Sequence, residues 1–322
     1  MISSKEEYLH GMRRYLQGIA DLVEDPDVTD IEYNATSQSV FIDGAGGRRS
    51  AGFSYGQKDA RNFVNLAAAY YDTVINEASP VLSVRLPDEL GRCRLQAYVP
   101  PVSRGVRFTL RKPGKVFPLS DYVDGPTGEL IRKALLEKKN FLLAGSTGAG
   151  KTSCLNAIIA ELTELCPDDR LVILEDTPEI QCNQPNHDYL DVVRDSKGNQ
   201  IISMADNVKN ALRDNPKWII LGEVRDDAAR SVLTAWRTGH YGFCTFHASG
   251  ADKGFWQFFS LAKLEYSNRL DQVTTAGAID YILYLSKENG ERRVRQIVSP
   301  WYDHSAGEHG EVRFKQIYPS QS

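Results

Sequence analysis

Apolar residues recur at helical spacing near the start of the chain and at strand spacing soon afterwards. Residues 8–23 place apolar side chains three or four positions apart, which predicts an amphipathic helix. Its polar face mixes acidic and basic residues, which favours packing on a core over lying on a membrane surface. The pattern predicts a second helix at 60–78 and strands at 30–33, 40–43, 81–86, 92–99 and 106–111. The first part of the chain is therefore predicted to be a small α+β domain.

The segment 112–118 interrupts both periodicities. Pro113 and Pro118 each remove a backbone donor and restrict the preceding residue, so neither a helix nor a central strand continues through them. A chain of 322 residues also favours two domains over one. We expect an N-terminal domain at 1–112, a linker at 113–119 and a second domain at 120–322.

Short apolar runs alternate with helical segments in the second domain. Helices are predicted at 128–138 and from about residue 151 to about 165, and strands at 141–144, 171–174, 218–221, 243–246, 280–285 and 293–298. Alternation of this kind predicts a largely parallel sheet covered by helices on both faces. The second domain is therefore expected to be of the α/β class.

Composition and charge narrow the possible functions. Hydrophobic residues make up 42% of the chain, charged residues 25%, and the net charge is −4, which argues against direct binding of nucleic acid. No apolar leader or membrane-spanning run is present in the pattern, so we expect a cytosolic protein. The cysteines are scattered without any CxxC pair and are interpreted as free structural thiols: Cys93, Cys154, Cys166, Cys182 and Cys244.

A phosphate-binding loop follows the strand at 141–144. The run Gly145-Ser146-Thr147-Gly148-Ala149-Gly150-Lys151-Thr152 matches GxxxxGK[ST] and opens a helix. Glycines allow successive N–H groups to point inward, the helix N-terminus adds positive potential, and Lys151 can reach the β- and γ-phosphates. Together with Ser153, these residues predict a site for ATP, with Thr152 as a Mg²⁺ ligand.

Acidic residues follow two other strands. Glu175, Asp176 and Glu179 come after the strand at 171–174, and Glu223 comes after the strand at 218–221. Because ligands of open α/β sheets lie at the carboxyl ends of the strands, these carboxylates should face the phosphate loop. Such acids hold the waters of a metal ion or activate the attacking water. We therefore predict Glu175 and Glu223 as Mg²⁺ ligands, Glu223 through water.

Three motifs together resemble those of secretion ATPases of type II and type IV systems. Glu175-Asp176-Thr177-Pro178-Glu179 resembles their aspartate box, and Leu221-Gly222-Glu223-Val224-Arg225-Asp226 resembles their modified Walker B. Gly239-His240-Tyr241-Gly242-Phe243-Cys244-Thr245-Phe246-His247-Ala248 is similar to their histidine box. Arg94-Leu95-Gln96 and Phe108-Thr109-Leu110-Arg111-Lys112-Pro113 resemble N-domain segments of the conjugative-transfer branch. The resemblance covers residues 85–251.

The resemblance implies a RecA-like P-loop domain preceded by the smaller α+β domain, assembled into a hexameric ring. It assigns Glu179 to water activation, Glu223 to magnesium and His247 to the γ-phosphate, with His240 in support. Arg94 and Arg111 would neutralise phosphate charge from the N-domain. Simpler readings remain open, since the two histidines could be structural and the two arginines part of a solvated basic face.

The implied function is a cytoplasmic ATPase at the inner face of the bacterial inner membrane. It would power type IV secretion or conjugative transfer, with inner-membrane channel components as partners and peripheral association with the membrane. A pilus retraction motor shares the same motifs and is an alternative. A second alternative is a switch of low turnover that gates a secretion channel.

Overall fold

The computed structural model describes residues 4–16, 18–44, 46–194, 199–225, 228–288, 290–306 and 310–318. The chain divides into two compact units, Met1–Lys115 and Val116–Ser322. Each unit has a hydrophobic core of its own. Within the described residues, no helix is long and apolar enough to cross a bilayer.

The first unit is built on a six-stranded antiparallel sheet with the order β3-β2-β1-β6-β5-β4. Its helices are α1 (Ser4–Tyr15), α2 (Ala20–Glu24) and α3 (Gln57–Tyr70). Its strands are β1 (Val28–Tyr33), β2 (Ser39–Gly44), β3 (Arg49–Ser54), β4 (Val81–Arg85), β5 (Arg94–Tyr98) and β6 (Arg107–Arg111). Helix α3 buries Phe63 against Phe108 of β6, with ring centroids 5.3 Å apart. The other face of strands β5 and β6 is left for polar side chains.

Three details of the first unit differ from the sequence prediction. The helix predicted at 8–23 is divided into α1 and α2, and the helix predicted at 60–78 runs from Gln57 to Tyr70. Asp72 adopts a positive φ of 51° just after α3, which a continuing helix does not allow. Strand β3 is absent from the sequence prediction, because it is an edge strand whose apolar alternation is limited to two partly buried residues, Ala51 and Phe53.

The second unit contains an eight-stranded sheet with the order β16-β15-β14-β7-β13-β12-β8-β9. Its larger strands are β7 (Phe141–Gly145), β8 (Leu171–Glu175), β9 (His187–Asp191), β12 (Trp218–Leu221), β13 (Tyr241–Phe246), β14 (Tyr281–Glu288), β15 (Glu291–Asp303) and β16 (Glu311–Tyr318). Strands β10 (Val193–Arg194) and β11 (Gln200–Ile202) form a separate ribbon. The helices are α4 (Gly125–Leu136), α5 (Lys151–Leu165), α6 (Met204–Ala211), α7 (Ala228–Arg237), α8 (Ala251–Leu261) and α9 (Arg269–Ala278).

Six neighbouring strands, from β14 to β9, run parallel, and β15 and β16 extend the sheet in antiparallel fashion. Strands β7, β8 and β12 are buried at every position. Alternate residues of these strands enter two different cores, one with α4 and α5 and the other with α6, α7, α8 and α9. The predicted α/β class, with a sheet covered on both faces, is confirmed.

Candidate nucleotide site

The carboxyl ends of β7, β13, β12 and β8 lie side by side at one edge of the parallel sheet. Ala144 is paired with Phe246, Cys244 with Leu221, and Leu221 with Leu174. The segments that follow these strands carry the phosphate loop, His247, Glu223 and the run from Glu175 to Glu179. The topology therefore gathers four sequence motifs at one edge, as parallel strands require.

The phosphate loop makes a tight turn between β7 and α5. Gly148 and Gly150 have positive φ values of 76° and 93°, which glycine adopts without strain. The N–H of Ala149 donates to the carbonyl of Ser146 at 3.2 Å. Helix α5 begins at Lys151, with Thr152 and Ser153 in its first turn. The exposed part of the loop, Ser146, Thr147 and Gly148, precedes the helix N-terminus and leaves room for an anion.

Lys151 is buried, with 8% of its surface exposed. Its ammonium donates to the carbonyls of Gly145 and Ser146, both at 3.0 Å, and lies 3.3 Å from Nδ1 of His247. Burial lowers the pKa of Lys151 below its ordinary value, and the nearby Glu223 carboxylate partly offsets that effect. The cation is therefore held inside the loop, in a place where a phosphate would stabilise its charge.

A chain of contacts runs from Lys151 to the modified Walker B segment. Nε2 of His247 lies 3.2 Å from Oε1 of Glu223, and Nη2 of Arg225 donates to Oε2 of Glu223 at 2.5 Å. Since the ammonium of Lys151 can only donate, Nδ1 of His247 accepts from it, and Nε2 faces the carboxylate of Glu223. His247 thus lies between the lysine and Glu223, whose other oxygen accepts from Arg225.

Glu175 and Glu179 have different environments although both belong to the aspartate box. The carboxylate of Glu175 is 1% exposed and accepts the N–H groups of Glu179 and Ile180 at 2.8 and 2.7 Å. Glu179 is exposed. Glu175 therefore shapes the turn from which Glu179 projects, and the prediction that Glu175 also binds Mg²⁺ stays a prediction.

Asn156 supports the same turn from the phosphate-loop helix. Its Nδ2 donates to the carbonyl of Glu179 at 3.3 Å, and its Oδ1 accepts the N–H of Gln181 at 3.1 Å. Sequence reasoning missed this residue, because an asparagine inside a helix carries no motif. Its only signal is a polar residue among the apolar positions of α5.

Asp176, next to Glu175, is held by two arginines. Nη2 of Arg194, on the ribbon, donates to its two carboxylate oxygens at 2.7 and 2.9 Å, and Nη1 of Arg225 lies 3.7 Å away. Arg225 therefore bridges the aspartate box and Glu223. Asp226, which completes the motif in the sequence, lies outside the described residues.

His240 and His247 lie at opposite ends of β13. The strand runs from Tyr241 to Phe246, so His240 precedes it and His247 follows it. At about 3.3 Å per residue the strand separates the two histidines by about 20 Å. Within one subunit, His240 does not support the site at the carboxyl edge, and the expected supporting role is not available to it there.

Arg94 and Arg111 belong to the first unit and form a cross-strand pair. They are opposite each other in the register of β5 and β6, so both project from the same face of the sheet. Nε of Arg111 also donates to Asp30 at 2.7 Å. Like charges at directly opposite positions repel each other, and Asp30 offsets part of this repulsion. The predicted contact of the two arginines with phosphate stays a prediction.

The residues at the sheet edge fit a nucleotide with Mg²⁺. The loop offers N–H groups and an ammonium to phosphate, Thr152 offers a hydroxyl to a hard cation, and Glu223 offers a carboxylate. Within the described part of the chain there is no cluster of three or more histidine, cysteine or acidic residues that would hold a metal by itself. A cation here would thus need phosphate oxygens as further ligands, which is how Mg²⁺ usually binds with nucleotides.

Comparison with known proteins agrees with the motifs. The model of the family described as type II/IV secretion system protein matches residues 102–277. Conjugal transfer protein TrbB of Rhizobium radiobacter is 34% identical over 283 residues, which covers 86% of this chain and 84% of the relative. Type IV secretion system protein VirB11 of Bartonella henselae is 27% identical over 338 residues, which covers 89% of this chain and 92% of the relative.

Solved structures share the fold at lower identity. The ATPase DotB of Legionella pneumophila has a TM-score of 0.62 at 21% identity and covers 89% of this chain and 79% of that one. The pilus retraction motor PilT with bound ADP has a TM-score of 0.63 at 18% identity and covers 95% of this chain and 83% of that one. These likenesses confirm the predicted RecA-like α/β fold.

Proposed function

This chain belongs to the type II/IV secretion system protein family, and we propose that it hydrolyses ATP to power type IV secretion or conjugative transfer. The proposal is supported above all by the sheet edge that carries Lys151, His247 and Glu223 in mutual contact. The transfer branch is favoured because TrbB, named for conjugal transfer, aligns over most of this chain at 34% identity. The pilus retraction motor PilT resembles this chain in fold alone.

The positions of the side chains support the following proposed catalytic roles. Lys151 and the loop N–H groups would bind the β- and γ-phosphates, and Thr152 and Glu223 would hold Mg²⁺, Glu223 through water. Bound Mg²⁺ would neutralise phosphate charge during the reaction. Glu179 accepts a proton from the attacking water, since its side chain is exposed while its backbone is fixed by Glu175.

His247 and the arginines of the first unit complete the proposed machinery. His247 contacts Lys151 through Nδ1 and lies 3.2 Å from Glu223 through Nε2, which supports the proposal that it senses the γ-phosphate. Arg94 and Arg111 supply guanidinium groups that neutralise the charge developing on the transferred phosphoryl group. In the proposed assembly, six subunits form a ring on the cytoplasmic side of the inner membrane and contact channel components there.

The test is ATP hydrolysis by the purified chain with Mg²⁺, compared with the Lys151→Ala variant. We expect kcat of Lys151→Ala to be at least about 100-fold lower than that of the parent chain, because the substitution removes the cation closest to the phosphates. Lys133→Ala is a matched control, since Lys133 is an exposed lysine on α4 that pairs only weakly with Glu137. Unchanged turnover in Lys151→Ala would contradict the assignment of the site.

Ring formation and turnover separate the proposal from its alternatives. Specific activity should rise with protein concentration as the ring assembles, and mass measurement with and without ATP should follow the assembly. A strict monomer with concentration-independent activity would contradict the ring. A switch that gates a channel would bind ATP tightly and release phosphate very slowly even when assembled.

A further inference from the structure

The hairpin formed by β14 and β15 lies against the outside of the phosphate loop. Strand β14 pairs with β7 up to the loop, with Leu285 opposite Gly145. A Cβ atom on Gly145 would lie 2.6 Å from the carbonyl oxygen of Leu285, so only glycine allows this approach. Sequence analysis found no motif in the hairpin, yet its backbone is part of the wall of the site.

Arg292, on β15, reaches over the loop from this hairpin. Its Nε donates to the carbonyl of Gly148 at 3.2 Å. Its aliphatic part lies beside Gly150, where an added Cβ would come within 2.8 Å of Cδ and 3.2 Å of Cβ of the arginine. The aliphatic part of Arg292 therefore fills the space beside Gly150, while its guanidinium group donates to the carbonyl of Gly148.

The held carbonyl belongs to the same peptide group as the N–H of Ala149. A trans peptide is planar, so its C=O and N–H point in opposite directions. The carbonyl points outward to Arg292, and the Ala149 N–H points to the carbonyl of Ser146, which also accepts from the ammonium of Lys151. The N–H therefore faces the inner side of the loop, where Lys151 lies.

We propose that Arg292 is a positioning residue of the phosphate loop, which fixes the peptide between Gly148 and Ala149 so that the Ala149 N–H stays on the inner side of the loop, where a bound phosphate can replace its present acceptor, the Ser146 carbonyl. Gly148 has a positive φ and no side chain, so the loop itself restrains this peptide only through the bond from Ala149 to Ser146. The inference rests on the proposed function, since it takes the loop to bind phosphate. It gives the C-terminal hairpin a part in nucleotide binding.

A rival explanation is that Arg292 attracts the nucleotide by its charge alone. Lys287 offers a matched control, because it lies opposite Arg292 in the register of the hairpin and is exposed. Among the described residues, Lys287 has neither a hydrogen bond nor an ion pair with the loop. Replacing either residue by methionine removes one positive charge and keeps most of the stem, but only Arg292→Met removes the bond to Gly148.

The experiment measures ADP binding with Mg²⁺ by calorimetry, at low and high salt, for the parent chain, Arg292→Met and Lys287→Met. We expect Arg292→Met to weaken ADP binding about tenfold at both salt concentrations, the size expected for one hydrogen bond from a charged donor. Lys287→Met should change the affinity less than about twofold. In the nucleotide-free proteins, amide hydrogen exchange over residues 145–153 should be faster in Arg292→Met alone, with exchange in β14 and β15 unchanged.

The possible outcomes separate this inference from the proposed function. If the parent chain does not bind ADP, the proposed function fails. If the parent binds and Arg292→Met binds equally well, or shows no faster exchange in the loop, the positioning role alone is overturned. Equal losses in Arg292→Met and Lys287→Met that vanish at high salt would also overturn it, in favour of simple charge attraction.

Discussion

Asn156 ties the turn that carries Glu179 to the phosphate-loop helix, and we expect Asn156→Ala to lower both stability and turnover. The asparagine is 5% exposed and makes one hydrogen bond to the Glu179 carbonyl and another to the Gln181 N–H. Alanine can make neither bond. The turn would then lose its direct link to α5, although the bonds to Glu175 remain.

The expected losses can be worked out from these contacts. Two hydrogen bonds at about 1 kcal/mol each, and about 0.5–1 kcal/mol for the void, give about 2.5–3 kcal/mol of unfolding free energy. For a unit of this size, that corresponds to a fall in the unfolding midpoint of about 5–10 °C. If Glu179 shifts by about 1 Å, kcat should fall about 10- to 100-fold, whereas KM should change little because the phosphate loop is intact.

Asn140 provides the control that separates stability from catalysis. It is 6% exposed, donates to the carbonyl of Ala278 and accepts the N–H of Gly242, both at 3.0 Å. It precedes β7 and so lies at the edge of the sheet opposite the phosphate loop. Asn140→Ala should lose similar stability and keep kcat, as measured by thermal unfolding and steady-state ATP hydrolysis. Equal kcat in both variants would refute the proposed support of Glu179.

Two further predictions concern Lys151 and His247. His247→Gln keeps a donor near the position of Nε2, and His247→Asn keeps an acceptor near that of Nδ1. Steady-state kinetics should therefore show the larger loss of kcat in the variant that breaks the more important contact. Wild-type kcat in both variants would contradict a role for His247. Because burial lowers the pKa of Lys151 and phosphate should raise it, ADP binding should take up protons at alkaline pH, between the lowered value and the ordinary pKa of about 10.4. The affinity should therefore fall as pH rises through the lowered pKa. Without nucleotide, the unfolded chain binds the Lys151 proton more tightly than the folded chain does, so the free energy of unfolding should rise with pH in the same window. As a control for ADP binding, calorimetry in two buffers should show no proton uptake by Lys151→Met.

The sequence is sufficient to predict which motifs meet at the carboxyl edge of the sheet, because they lie in short runs next to strand ends. The phosphate loop is contiguous from Gly145 to Thr152, and the acids follow strands whose apolar pattern is plain. Once the sheet is parallel, the carboxyl ends must meet at one edge, so neighbours such as Glu223 and His247 follow from topology. The α/β class follows from the same alternation of strands and helices, whereas the RecA-like domain is predicted from the resemblance to secretion ATPases.

Other features could not be predicted, because they depend on contacts between distant parts of the chain. Arg292 bonds to a loop residue 144 positions away, and Asn156 to a residue 23 positions away. Strand β3 has only a short apolar alternation, since it contributes two partly buried residues, Ala51 and Phe53, to the edge of the core. The shared motif groups His240 with His247, although the strand predicted between them at 243–246 already implies that the two histidines lie at opposite edges of the sheet.

The phosphate loop shows why positioning and chemistry are encoded differently. Its glycines make the tight turn possible and at the same time leave the peptide between Gly148 and Ala149 with few restraints besides the bond from Ala149 to Ser146. We propose that the direction of this peptide is set in part from outside the motif, by a segment that the topology brings to this edge. Here a strand from the far end of the chain supplies Arg292. Two chains with the same loop sequence can thus bind phosphate with different affinity, according to the residue that holds the Gly148 carbonyl.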